Sequence, residues 1–259
     1  MKKILFLSLI LITLASCKKI NNAGYTESKT FVIGDFNEIV ASSAIHIVFC
    51  DTAHQVIATA DANALPYFRA ETINHSLRLY YPANVNVIGQ TNVIVPYKRD
   101  VKEISLSGAC SFVSENQIET NEFELYLSGA SMFSAPLIAN DIDFELSGAS
   151  KVNCDINLQA NELNIDASGA SELALSGFAK HVETELSGAS KIKAGKEHNV
   201  YLFGCNKLEG TLSGASSIQV NCDHEIECDL SGASTIRYTG EANTSHCHCY
   251  GGSTVVHEN

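Results

Sequence analysis

Through the C-terminal two-thirds of the chain, apolar and polar residues alternate one for one. Ile142, Phe144 and Leu146 fall on one side, and Asp143 and Glu145 on the other. The same pattern sets Phe123, Leu125 and Leu127 against Glu122, Glu124 and Tyr126. A period of two residues is the signature of a β-strand with one buried face. Each such segment runs into the motif Leu-Ser-Gly-Ala-Ser or a close variant. An apolar residue then returns two positions after the motif, as at Val152, Ile192, Ile218 and Ile236. A glycine between two strands marks a corner, where a positive φ or close backbone approach is needed.

The motif recurs at one phase. Its glycines are Gly108, Gly129, Gly148, Gly169, Gly188, Gly214 and Gly232, with degenerate copies predicted at Gly204 and Gly251. Most intervals are 18 to 21 residues; the copy around Phe203 breaks the rhythm, standing 16 and 10 residues from its neighbours. A unit of this length cannot bury its apolar face alone. Units stacked at the inter-strand spacing of about 4.8 Å share one core and satisfy each other's backbone hydrogen bonds. The leucine-rich repeat has a similar period but a different consensus, which is absent here. A turn-linked meander would not hold one motif at one phase. The pattern therefore predicts an all-β protein, a right-handed parallel β-helix of about 20-residue repeats over residues 101–259.

Residues 31–100 read differently. Strand-like runs at 45–49, 55–60, 77–81 and 92–95 are punctuated by Pro66, Pro82 and Pro96, with a short helical turn expected at 61–65. Terminal repeats of stacked proteins are atypical and act as caps. This part is expected to cap the stack or form its first coils, and 36–44 reads as a worn first copy of the motif.

The N-terminus predicts export. Lys2 and Lys3 precede an apolar run from Ile4 to Leu14, and Leu14-Ala15-Ser16-Cys17 has the order of a bacterial lipobox. Residues 1–16 are thus expected to be a signal peptide. Cys17 is expected to be the lipidated N-terminus of a linker over 17–30, anchored in the outer membrane because lysine rather than aspartate follows it. Several acyl chains on one residue suffice for stable anchoring. The formal charge of −12 disfavours nucleic acid and anionic surfaces as partners. Nine cysteines in an exported chain permit disulfides, but their irregular spacing suggests mostly buried small hydrophobes.

Asp35-Phe36-Asn37-Glu38-Ile39, leading into Ser42-Ser43-Ala44-Ile45-His46-Ile47, resembles the adhesin head (GIN) domain family of Bacteroidetes and other bacteria. So do Asp61-Ala62-Asn63-Ala64-Leu65-Pro66-Tyr67, Leu77-Arg78-Leu79-Tyr80 and the repeated Leu-Ser-Gly-Ala-Ser. The resemblance implies a right-handed β-helix on an exported protein and carries no catalytic residues or ligand. It departs at Ser42-Ser43, where the family often has Ser-Gly.

Three residues before each motif leucine lies a mostly acidic column: Glu103, Glu124, Asp143, Asn164, Glu183, Asn199, Glu209, Glu227 and His246. The six carboxylates Glu103, Glu124, Asp143, Glu183, Glu209 and Glu227 are oxygen ligands of the kind calcium takes. The preferred reading is nevertheless a solvated outer face, with no bound metal or cofactor. His246-Cys247-His248-Cys249 looks like a metal tract, but on a strand its histidines and cysteines face opposite ways. Cys247 then lies over Cys228 as a thiol pair or an inter-repeat disulfide. Tyr67, Tyr80, Tyr81, Tyr97, Tyr126 and Tyr201 offer aromatic contacts for sugars. No single copy of the motif carries a unique His and Asp partner, no Gly-x-Ser-x-Gly elbow occurs, and a catalytic site is needed once rather than nine times. The sequence therefore favours a non-catalytic surface-binding module for a polysaccharide or protein. A self-associating envelope scaffold is the alternative, and a carbohydrate-active enzyme is a distant third.

Overall fold

The computed structural model describes residues 18–258, so the signal segment and Cys17 lie outside the described residues. The protein is all-β, and one 22-stranded sheet takes strands from both the N-terminal part and the repeats. The only helical element among the described residues is a 3-10 turn at Leu65–Tyr67. It stands where a turn at 61–65 was expected. Asp61 organises the approach, its backbone carbonyl accepting from Ala64 N at 2.8 Å and its Oδ1 from Asn63 N at 2.9 Å.

Each repeat lays down three short strips that pair in parallel with the repeats on either side. Glu103–Ser107, Ser111–Ser114 and Ile118–Glu119 form one layer; Glu122–Leu127, Met132–Ser134 and Leu137–Ile138 form the next. In later layers the pairing runs on through the bends between strips, giving long strands at Lys151–Ala167, Glu172–Leu186 and Ser217–Leu230 with a register shift between Cys154 and Leu158. The motif leucines fall in register, Leu106 on Leu127 on Leu146 and onward to Leu230, with Ala167 the smaller member. They form a buried aliphatic column. A second column stacks aromatic rings: Phe112 lies 5.4 Å from both Phe49 and Phe133, nearly parallel to the latter.

The corner motif is explained by two sets of bonds. At the corners from Ala130 to Ala233 the alanine N–H donates to the glycine carbonyl of the layer below, as Ala149 does to Gly129 O at 2.7 Å. The second motif serine turns inward and donates to the carbonyl of the first, as Ser150 Oγ does to Ser147 O at 2.7 Å. The second motif serines bond in this way from Ser131 to Ser234. Backbone acceptors hold them, which is how a buried hydroxyl avoids its desolvation cost. Cys110 fills the same place in the first clear copy, its thiol bonded to backbone around Ala44, Ile45 and Ser107.

Two sequence expectations need correction. Leu186 pairs directly with Leu212, so the copy around Phe203 is not a corner. Gly204 sits inside the strand Phe203–Leu212, opposite Phe178 and Asn221, without a positive φ. The extra length of this repeat goes into a small hairpin, Lys196–Glu197 against Val200–Tyr201. His198 and Asn199 turn it with φ of 50° and 67°. Asn199 therefore leaves the acidic column, where Glu183 meets Glu209 directly. The remaining motif glycines, from Gly108 to Gly251, have φ between 71° and 79°.

At the N-terminal end, chain order and stacking order differ. Glu38–Ser42 and Ile45–Cys50 pair with the first clear repeat on one side. On the other side they pair with Ser76–Tyr80 and Thr91–Pro96, which come later in the chain. Antiparallel strands then close this end: Thr26–Phe31 on Val56–Asp61, Val56–Asp61 on Thr91–Pro96, and Arg69–Ile73 on Ser76–Tyr80. Covering a sheet edge this way removes a template for unwanted strand pairing.

Candidate binding groove

The first strips of successive layers make one broad outer face. Parallel register turns its sequence pattern into columns. One reads Glu38, Glu103, Glu124, Asp143, Asn164, Glu183, Glu209 and Glu227. The adjacent column reads Ser105, Tyr126, Glu145, Asp166, Glu185, Thr211, Asp229 and His248. Beside it stand the first motif serines, next to the corners.

A shallow groove follows the second column along the stack, walled by the motif serines in its first parts and by the acidic column at its C-terminal end. Its central part, about 480 Å³, is lined by Glu145, Ser147, Asp166, Ser168, Glu185 and Ser187. A second part of about 270 Å³ shares Glu145 and Ser147 with it and runs past Tyr126 to Val40. A third, about 370 Å³, shares Thr211 and ends at Glu227, Asp229, His246 and His248. The groove thus crosses most of the layers. Its walls are mainly acceptors, carboxylates and hydroxyls in regular rows.

Opposite charge enters at the C-terminal end. Lys207 Nζ is bonded to Glu209 and lies 3.6 Å from Glu225 and 3.5 Å from Glu227. His181 Nε2 stands 2.5 Å from Glu209, whose carboxyl Lys207 above all holds below its usual range. His246 Nδ1 is 3.0 Å from Glu225, and His248 Nδ1 is 3.1 Å from Asp229. Of the six tyrosines singled out, only Tyr126 lies in the groove. Its hydroxyl donates to Glu124 at 2.7 Å, and that carboxylate pushes the phenol pKa up. Tyr81 and Tyr201 are buried, while Tyr80 and Tyr97 are tied to Glu71 and to the Gln117 carbonyl. Tyr67 carries Lys18 over its ring near the N-terminal cap.

Most of the thiols are buried, although Cys249 is exposed and Cys228 lines the third part of the groove. Cys228 is buried and Cys247 half-buried in adjacent layers; both are free thiols, and burial pushes both pKa values up. A second thiol contact escaped the sequence reading: Cys205 and Cys222 are register partners. Contact with Cys222, together with burial, pushes the Cys205 thiol up. The signal was available once the copy around Phe203 is read as strand. The sequence also missed Glu225 beside His246, because the two meet only across layers.

The fold has solved relatives. A "putative lipid binding protein" from Parabacteroides distasonis superposes with a TM-score of 0.81 at 18% identity, covering 93% of this chain and 99% of its own. A "putative adhesin" from the same organism gives 0.78 at 20% identity, covering 93% and 100%. Another from Parabacteroides merdae gives 0.72 at 18%, covering 92% and 98%. At such identities the likeness shows a shared fold. No curated protein sequence matches the chain. The family model described as "Putative auto-transporter adhesin, head GIN domain" matches residues 35–242, and the chain belongs to that family.

Proposed function

We propose that this chain is a non-catalytic, lipid-anchored protein of the cell envelope, held in the outer membrane through Cys17. In this reading its layers wind as a right-handed parallel β-helix, and the groove on its first face binds an extended polymer. The observation that carries the reading is that the three parts of the groove share lining residues over successive layers, with carboxylates and hydroxyls recurring along it. A row of acceptors suits a ligand rich in donors, such as the hydroxyls of a neutral glycan or the amines of a protein segment. The acidic face disfavours polyanions. Family membership supports an adhesive role, and the neighbours named adhesins share the fold.

Several features speak for binding rather than catalysis. The second motif serines are buried and donate to their own corner carbonyls. One serine does meet an imidazole, Ser111 Oγ at 2.7 Å from His46 Nδ1, but it lies on the second strip, away from the groove. Among the described residues no carboxylate is bonded to His46 to orient it. Glu172, Glu209 and Glu258 are all held low, with Lys193, Lys207 and Lys196 as the leading causes. A general acid needs the opposite shift.

The test is binding of the chain from Lys18 onward to glycan and matrix-protein arrays, with and without calcium. Charged hydrogen bonds are worth about 1.5–3 kcal/mol each, so removing three should weaken binding at least about tenfold. The variant Glu145→Gln, Asp166→Asn, Glu185→Gln is predicted to do so, while Lys151→Gln with Lys191→Gln on the second strip has no effect. Equal binding by both variants would dismiss the groove. One observation favours a scaffold instead: among the described residues, His248–Cys249 and Thr254–His257 pair on one side only. Concentration-dependent assembly in sedimentation, without ligand binding, would select that reading.

A further inference from the structure

We propose that the C-terminal end of the groove binds a borderline divalent transition ion, with zinc the best fit, through His246, Glu225 and Glu227. The ligand atoms these three residues offer lie within 4.8 Å of one another. Donors that share one ion at metal–ligand distances of about 2.0–2.2 Å stand somewhat closer together. Small rotations of three partly exposed side chains close that difference. The site draws on two adjacent layers, so the stacking register itself brings the donors together. Three protein ligands leave a position open to water or to a group on a ligand lying in the groove.

The chemistry points away from calcium. Calcium takes six to eight oxygen ligands, whereas an imidazole with two carboxylates suits zinc and its neighbours. The upper acidic column offers carboxylates and one amide, Asn164; only the C-terminal end adds imidazole. The tract 246–249 suggests a metal site made of its own four residues, but His246 lies in the turn before the strand His248–Cys249, and the Cys247 thiol donates to the Ile226 carbonyl at 3.1 Å instead. The partners of His246 come from the layer beneath.

A resident cation sharpens the test. Lys207 Nζ lies 3.6 Å from Glu225 and 3.5 Å from Glu227, yet its bonded partner is Glu209. It competes with the ion for the same two carboxylates and has somewhere to go. Removing its charge should therefore tighten metal binding, an effect opposite in sign to ligand loss.

The experiment is a zinc titration of the untagged chain from Lys18 onward, which holds the whole 22-stranded sheet, against a competing chelator dye. Zinc binding is read directly and does not depend on any polymer ligand. The expected result is one equivalent of zinc, undisturbed by millimolar calcium. His246→Gln and Glu227→Gln each weaken it at least about tenfold, since even outer partners of metal ligands are worth 10–100-fold. Lys207→Gln tightens it. Cys249→Ser and His198→Gln, both at exposed positions outside the site, leave it unchanged. His246 is itself exposed, so the apo variant should melt like the parent, separating metal loss from unfolding. Absence of micromolar zinc binding, retention of full affinity in His246→Gln, or loss of affinity in Cys249→Ser would each overturn the proposal.

Discussion

Replacing Gly148 by alanine should destabilise the protein by about 2–5 kcal/mol, far more than an exposed Gly-to-Ala change elsewhere. Two costs combine. Gly148 has φ of 76°, and an L residue in the left-handed region loses roughly 1–2 kcal/mol. A Cβ there would also stand 2.5 Å from the Gly129 carbonyl oxygen. That oxygen accepts the Ala149 N–H at 2.7 Å and cannot move without breaking the corner bond. Relieving such overpacking typically costs about 1–3 kcal/mol. Gly108 separates the two effects. Its φ is 79°, but a Cβ would be 3.4 Å from Ser43 N, ordinary contact. Gly108→Ala should therefore show only the conformational part. Ser43 already bears that strain at φ 79°, so Ser43→Gly should be neutral to slightly stabilising. Urea melts followed by circular dichroism check the series. Equal losses at Gly148 and Gly108 would remove the stacking clash from the account.

Phe112→Ala should cost about 3–5 kcal/mol, the range for deleting a buried phenylalanine ring. Phe112 is fully buried and bridges Phe49 of the N-terminal part to Phe133 of the next repeat, at 5.4 Å from each. Its loss leaves a cavity at the junction between cap and repeats. Aromatic pairing adds about 0.5–1.5 kcal/mol that Phe112→Leu would lose without the cavity. Stacked repeats gain stability from nearest-neighbour contacts, so the damage should spread to both sides of the junction. Hydrogen exchange should report faster opening in both Ile45–Cys50 and Met132–Ser134. A loss below about 1 kcal/mol, or one confined to a single layer, would contradict this picture of the core.

The repeat was legible because each of its residues answers a local demand. The alternating apolar positions choose strand, the glycine meets a positive φ, and the second serine satisfies the corner. The copy around Phe203 misled because Leu202-Phe203-Gly204-Cys205-Asn206 imitates the motif in type while its place is set by pairing with the layer at 177–179. Only the 26-residue separation of Leu186 and Leu212 could have betrayed the inserted hairpin. The N-terminal part was harder for another reason. Its stacking order reverses chain order, since 76–96 slips beneath 38–50, and no periodicity records that exchange. In the groove, the acidic column was readable from phase alone. The Tyr126, Glu145, Asp166 and Glu185 column is equally regular in phase, but its residue types vary from tyrosine to carboxylate, so phase alone does not mark it. The contact of His246 with Glu225 joins different columns across layers, which a single-phase alignment does not show.

The central claim is that an extended ligand lies along the groove of the first face. Carbodiimide labelling of carboxylates, read by mass spectrometry with and without a glycan or protein captured from the arrays, tests it most directly. The account predicts that Glu145, Asp166 and Glu185 become protected together, while Glu172 on the second strip labels as before. Unchanged labelling of those three, with protection confined to the terminal layer around Glu258, would contradict the groove and assign the contact to the end of the stack.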